Sequence, residues 1–241
     1  MKSILMKPEM HLAVRENRKT ITRRLDGLKE INKEPDDWRC YKSADGKYWI
    51  AHRERDKHQH YPKPRYKVDD VVYIKEAWAT EKQYDHLKPS EIPHSAYIHF
   101  VADGVGDYPL CIVLGRLRSP LFMPSWAARY FIQITDVRAE RLQEITFEDC
   151  LAEGVVSSKE WQSLDYKAPE PLHPEDLSNE EADNETERGW EAYTRQVYSL
   201  LWGSINAKRG YGWEKNHWVW VISFKRIDKN SLNLNEGVVK Q

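Results

Sequence analysis

Arg15, Arg18, Lys19, Arg23 and Arg24 crowd into one short segment, relieved only by Glu16 and interleaved with the hydroxyls of Thr20 and Thr22. Cationic donors beside hydroxyls are the groups that contact nucleic-acid phosphates. A solvated helix end carries the same charges, so either reading fits the cluster alone. A second basic run holds Arg53, Arg55, Lys57, Lys63, Arg65 and Lys67, with His52, His58 and His60 among them. Three imidazoles spaced H-x5-H-x-H, with no cysteine close by, read as a basic loop before they read as a metal site. Neither a metal nor a cofactor is expected. The chain also holds ten tryptophans and thirteen tyrosines, rings that fill cores or stack on bases; most are expected to be core.

These groups must be positioned by short elements. Ser3–Met6 reads as a strand and Met10–Arg18 as a helix whose end falls near Asn17, a residue that tolerates positive φ. Residues 26–67 are polar and irregular, apart from an Asp45-Gly46 hairpin signal between Tyr41 and Tyr48-Trp49-Ile50. Val68 and Val71–Ile74 form a strand after an Asp69-Asp70 turn. The Pro- and Gly-containing span 81–109 is mostly loop, with one strand over Ser95–Val101. Ala128–Arg141 alternates as a strand, and Thr146 caps a helix running to Ala152. Residues 157–187 are an acidic insertion expected to be mobile. A helix follows over Glu191–Trp202, with Tyr193, Val197, Leu200 and Leu201 on one stripe, and Trp218–Ile227 closes the chain as a strand. Several strands without regular βα alternation give α+β, not a doubly wound sheet.

Hydrophobic residues at 40% and charged residues at 31% are ordinary for a globular protein, and the net charge of −1 identifies no partner by itself. Three scattered cysteines (Cys40, Cys111, Cys150) exclude a disulfide framework and suit a reducing cytoplasm. With no long apolar run, neither a leader peptide nor a membrane span is expected. A cytoplasmic protein is the expectation.

Asn17-Arg18-Lys19-Thr20-Ile21-Thr22-Arg23-Arg24 resembles the G-R-K-T-x-T-x-R signature that opens ASCH domains, a branch of the PUA-like superfamily. Asp69–Ile74 resembles that family's G-D-x-x-x-V strand, and Glu76-Ala77-Trp78 resembles the R-E-x-W of its larger phage-type members. Trp218–Ile227 resembles the closing W-V-I-E-F-K-R-I strand. Met123-Pro124-Ser125-Trp126 is similar to the phage-type M-P-x-W. Asn17 and Asp69 stand where the family usually has Gly, and Lys75 where it usually has Arg.

The resemblance implies a PUA-like small β-barrel with flanking helices, a single domain over 1–241 with insertions near 26–67, 81–109 and 157–187. One branch of the family hydrolyses N(4)-acetylcytidine with a Lys, a Thr and a Glu. Matching its motif places these on Lys19, Thr22 and Glu153, the last following Ile145-Thr146 at the family's spacing. In a straight strand Lys19 and Thr22 would face opposite sides; across a turn they can meet. A Thr hydroxyl needs a base, and a Lys serves only if burial or cations such as Arg18, Arg23 and Arg24 lower its pKa. Glu153 would protonate the departing amine or orient the amide. Arg18, Arg23 and Arg24 are further expected to hold substrate or nucleic acid, as are Lys75, Glu76 and Arg129, with Trp78 and Trp126 as a stacking wall. The pocket is expected where the 19–24 turn faces Glu153 and Trp78. The functions implied are an amidohydrolase acting on an acylated cytidine-type base or nucleoside, or an RNA- or modified-base-binding module without turnover. A third is a phage protein that binds a host protein.

Overall fold

The protein, as a computed structural model, is described over residues 1–104, 109, 111–155 and 179–229. In chain order its elements are β1 (Lys2–Leu5), α1 (Pro8–Arg15), β2 (Ile21–Arg24), β3 (Trp38–Lys42), β4 (Trp49–Arg53), β5 (Gln59–His60), β6 (Val71–Lys75), β7 (Trp78–Ala79), β8 (His99–Phe100), β9 (Phe131–Arg141), α2 (Phe147–Ala152), α3 (Asn179–Asn206) and β10 (Trp218–Ile227). The chain divides into two compact units. One holds Met1–Thr20, Lys67–Thr135 and Phe224–Gln241; the other holds Ile21–Tyr66 and Asp136–Ser223. Strands β9 and β10 each run through both. The α+β expectation holds. Among the described residues no sheet closes into a barrel: β1 is an edge strand in the first unit and β2 in the second.

In the first unit β1 pairs parallel with β6, Lys2 opposite Val72 and Leu5 opposite Lys75. The start of β9 pairs antiparallel with β6, placing Tyr73 opposite Phe131. Helix α1 begins and ends earlier than expected. Pro8 supplies its first turn, where a missing N–H costs nothing. Asn17 then turns the chain at φ 57°, and the amides of Arg18 and Lys19 both donate to Ala13 O, at 2.9 and 3.0 Å. The core gathers Tyr73, Trp78, Met123 and Phe131 with Ile92 and Ala96. Span 81–109, expected as an insertion, therefore supplies part of the core. Of its predicted strand only His99–Phe100 forms, paired with β7. Just before it Ala96 N–H donates to Pro93 O at 3.0 Å, closing a turn.

In the second unit β10 pairs antiparallel with β2, Ile222 opposite Thr22 and Val221 opposite Arg23. Residues Trp218–Ile222 of β10 are buried without alternation, as a strand covered on both faces must be. Span 26–67, expected to be irregular, instead builds a three-stranded antiparallel sheet, β3-β4-β5. Its predicted hairpin is present: Gly46 takes φ 70° and Asp45 accepts from the Lys47 amide at 3.1 Å. The span is anchored by Asn32, whose side-chain oxygen accepts from Trp218 N–H at 2.8 Å while its amide donates to Trp218 O at 2.9 Å.

Thr146 caps α2 as expected, accepting from Asp149 N–H at 3.2 Å. Helix α3 starts at Asn179, twelve residues before the expected Glu191, so the acidic stretch is helical from there; residues 157–178 of that insertion lie outside the described residues. Its inward stripe is Thr194, Val197, Tyr198, Leu201 and Trp202, while Leu200 is exposed. The i, i+3, i+4 rhythm is the predicted one, rotated by one residue. No described helix is long and apolar enough to cross a membrane.

Candidate functional site

Helix α2 fixes one carboxylate and releases another. Asp149 lies in its first turn, and Glu153 caps its C-terminus with its amide bonded to Asp149 O at 2.8 Å. Gly154, at φ 86°, then turns the chain away. One helical turn separates Asp149 and Glu153, so they share a face. That face meets Arg23, whose side chain is 0% exposed. Arg23 Nη1 lies 3.5 Å from Glu153 Oε1, and Nη2 is 3.5 Å from Glu140 and in a short contact with Asp149. Arg138 adds a second cation, 3.0 Å from Asp149 and also bonded to Glu140. Tyr198 on α3 donates its hydroxyl to Glu153 Oε1 at 3.3 Å.

The electrostatics follow from enclosure. Burial alone would lower the Arg23 pKa, but the surrounding negative charge, Glu153 foremost, outweighs it and raises the value. At Arg24 the balance is reversed, and burial lowers its pKa despite help from Tyr66, Glu153 and Asp26. Tyr198 is pushed well above the ordinary phenol range by burial and then by the charge of Glu153. It therefore stays protonated and serves as a donor. Burial likewise lifts the Cys150 thiol to about 12, which leaves it unreactive at neutral pH.

The first unit holds a separate network. Glu76 is 1% exposed and accepts twice from Arg129, at 3.1 and 2.8 Å. Arg129 Nη1 also reaches both oxygens of Asp103, at 2.8 and 2.7 Å. Its guanidinium carbon sits 4.0 Å from the Phe100 ring centre and 4.8 Å from that of Tyr130. Burial would lower the Arg129 pKa, yet the two carboxylates raise it. His11 Nδ1 approaches Glu76 at 3.6 Å.

The predicted residues are thus distributed between the units. Arg18, Lys19, Lys75, Glu76, Trp78, Trp126 and Arg129 belong to the first; Thr22, Arg23, Arg24 and Glu153 belong to the second. Arg23 and Glu153 come together, as do Glu76 and Arg129. Trp78 is wholly buried, so it is core and not an open stacking surface. Trp126 is half-buried, edge-on to Trp78 at 6.3 Å and stacked on His94 at 4.9 Å. Arg18 bonds Glu16 at 2.7 Å, and Lys75 donates to Leu121 O at 2.6 Å. Lys19 and Thr22 are both buried, but the turn at Glu16-Asn17 precedes Lys19 and none lies between the two residues. Within β2, alternation sends Arg23 to one face and Thr22 with Arg24 to the other. The three histidines do not converge either. His60 opposes Ala51 while His52 opposes Gln59, so His60 and His52 face opposite sides of the sheet.

Sequence reasoning did not single out Glu140, Asp149 or Tyr198. The i, i+4 pair Asp149/Glu153 was the available signal, since two carboxylates on one helix face call for a cation. No protein-family model matches the chain, and no curated protein or solved structure matches it.

Proposed function

We propose that the chain is a nucleic-acid- or nucleoside-directed protein of the ASCH type, PUA-like in fold, that hydrolyses an N-acylated cytidine-type base. The observation that carries this is the buried carboxylate of Glu153, 4% exposed, with Arg23 and the Tyr198 hydroxyl on one of its oxygens. A buried carboxylate set by fixed donors suits a group that meets an amide or an exocyclic amine. Lys19 and Thr22 enter by their match to the family motif. In the proposed step Lys19 takes the Thr22 hydroxyl proton, Thr22 Oγ bonds the acyl carbon, and the C–N bond breaks as the amine leaves with a proton passed through Glu153. Water then hydrolyses the acyl ester and restores Thr22. Cytoplasm is the proposed compartment.

One observation favours a second reading, a base-binding module without turnover: on β2 it is Arg23, not Thr22, that faces Glu153. The experiment is to incubate the protein with N(4)-acetylcytidine and longer acyl analogues and follow deacylation by mass spectrometry. Lys19→Ala, Thr22→Ala and Glu153→Gln should each abolish most turnover, with double variants adding little, as groups acting as one unit do. Full turnover in Thr22→Ala would replace the threonine by a Lys19-activated water. No product from the wild type would remove the hydrolase and leave the binding module.

A further inference from the structure

Alternation and register define the two faces of the β3-β4-β5 sheet. Trp38, Ala51 and His60 lie on the inner face, where Trp38 is buried against the edges of His58 and His60 and Ala51 is fully covered. Trp49 lies on that face as well, edge-on to Trp220 at 5.4 Å. The outer face carries Arg39 and Tyr41 on β3, opposite His52 and Ile50 on β4, with Gln59 of β5 opposite His52. Tyr48 precedes Ile50 by two residues, and its carbonyl accepts from Ser43 N–H at 2.8 Å; the extended pairing puts its ring on the same outer face. Tyr61 follows Gln59 by two residues and donates its hydroxyl to the Gln59 side chain at 2.9 Å, on that face too. Ile50 is thus flanked by Tyr41 on one side and Tyr61 on the other, with Tyr48 diagonal to Tyr41.

The three rings are open to solvent: Tyr41 is 44% exposed, Tyr48 59% and Tyr61 53%. One exposed aromatic is ordinary, but three on one sheet face form a patch. Neighbouring positions there are about 5–8 Å apart, close enough for successive bases to reach successive rings. The charge of the segment that carries them is net positive. Residues 38–66 hold eight lysines and arginines against three carboxylates, in a chain of net charge −1. Arg39, Arg53 and Arg55 pair with Glu54, Asp56 and Glu34, bracing the sheet. Lys57, Lys63 and Arg65 make no ion pair among the described residues, while Lys42, opposite Trp49, lies on the inner face over that ring.

We propose that this outer face is a platform for single-stranded nucleic acid, with Tyr41, Tyr48 and Tyr61 stacking on unpaired bases and the unpaired cations around them following the backbone. Aromatic rings give sequence-tolerant stacking and the cations give phosphate attraction. A duplex hides the base faces such rings need, so the ligand is single-stranded. The platform rests on this sheet alone and stands whether or not Glu153 takes part in hydrolysis.

The test is fluorescence anisotropy of labelled oligothymidylate and oligouridylate across a salt series, with a duplex of equal length as control. Both single strands should bind more tightly than the duplex. Each of Tyr41→Ala, Tyr48→Ala and Tyr61→Ala should weaken binding about 5- to 100-fold, the loss of one stacked base, while Tyr→Phe keeps most of it. Lys57→Ala should lower the salt slope by about one. Thermal melts should match the wild type, because the rings are exposed. Deacylation of a free nucleoside should be unchanged in Tyr41→Ala, which separates this surface from the proposed chemistry. Unchanged affinity in the triple tyrosine variant would overturn the platform. So would failure to bind either oligonucleotide, including the case where the face binds a protein instead.

Discussion

Replacing Arg23 by Met should be among the most damaging single changes in the second unit. The side chain is 0% exposed, and its partners Asp149 and Glu153 are only 14% and 6% exposed. Met fills much of the volume but leaves buried carboxylates without their cation. Breaking a buried pair by removing one partner costs about 3–5 kcal/mol. Here Arg138 remains on Asp149 and Tyr198 remains on Glu153, which places the loss near the lower end, about 3 kcal/mol. At a urea slope of about 1–3 kcal/mol/M this moves the unfolding midpoint down by roughly 1–3 M. Glu153→Gln removes a charge while keeping an acceptor for Tyr198, so its loss should be smaller, about 1 kcal/mol. The deficit of Arg23→Met should also narrow in acid, where the stranded carboxylates take up protons. Urea titrations of the three proteins at neutral and mildly acidic pH read all of this. A midpoint for Arg23→Met within about 0.3 M of wild type, below 1 kcal/mol at that slope, would show that the carboxylates do not converge on Arg23.

Two further outcomes are expected. Asn32→Ala strands a buried N–H and C=O of Trp218 together and should cost about 2–4 kcal/mol in the same urea assay; a loss under about 1 kcal/mol would show that the two groups find other partners. Tyr198 is held neutral in the fold, with its pKa raised by burial. The unfolded chain releases that proton near pH 10, so the stabilisation is complete below pH 10 and is lost as pH rises beyond it. Tyr198→Phe should therefore flatten the alkaline loss of stability while costing about 1 kcal/mol at neutral pH. Identical alkaline profiles for the two proteins would contradict this.

Elements whose cause is local were legible in the sequence. Trp218–Ile222 is an unbroken apolar run, Thr146 is a capping residue at the right distance from Asp149, and Asp45-Gly46 is a turn that only a few residue types make. Span 26–67 was misread because its stability is not local. Its sheet is tied down by Asn32 reaching the Trp218 backbone, 186 residues away, and by Trp49 meeting Trp220. The polar residues taken as a sign of irregularity form its solvent face and the ion pairs at its rim. Ile92 and Ala96 were likewise obscured by Pro89 and Pro93. A proline-bounded loop can still place two apolar side chains against Trp78.

The candidate site was half legible, and the missing half concerns direction. A motif names residue types in order, but the face each side chain takes depends on where the last turn ends. Here Asn17 completes the turn before Lys19, and β2 is already extended at Thr22. The parity of the strand therefore decides that Arg23, not Thr22, is the residue aimed at Glu153. The same parity explains why an arginine counted among surface cations is ringed by carboxylates. On the other face of β2 its guanidinium would have met Arg24's surroundings, which lower an arginine's pKa instead of raising it. On its own face it meets Asp149 and Glu153, one helical turn apart on α2, and Glu140 across on β9. A carboxylate pair at i, i+4 beside a strand of alternating cations therefore specifies which cation it pairs with once the face turned toward the helix is known.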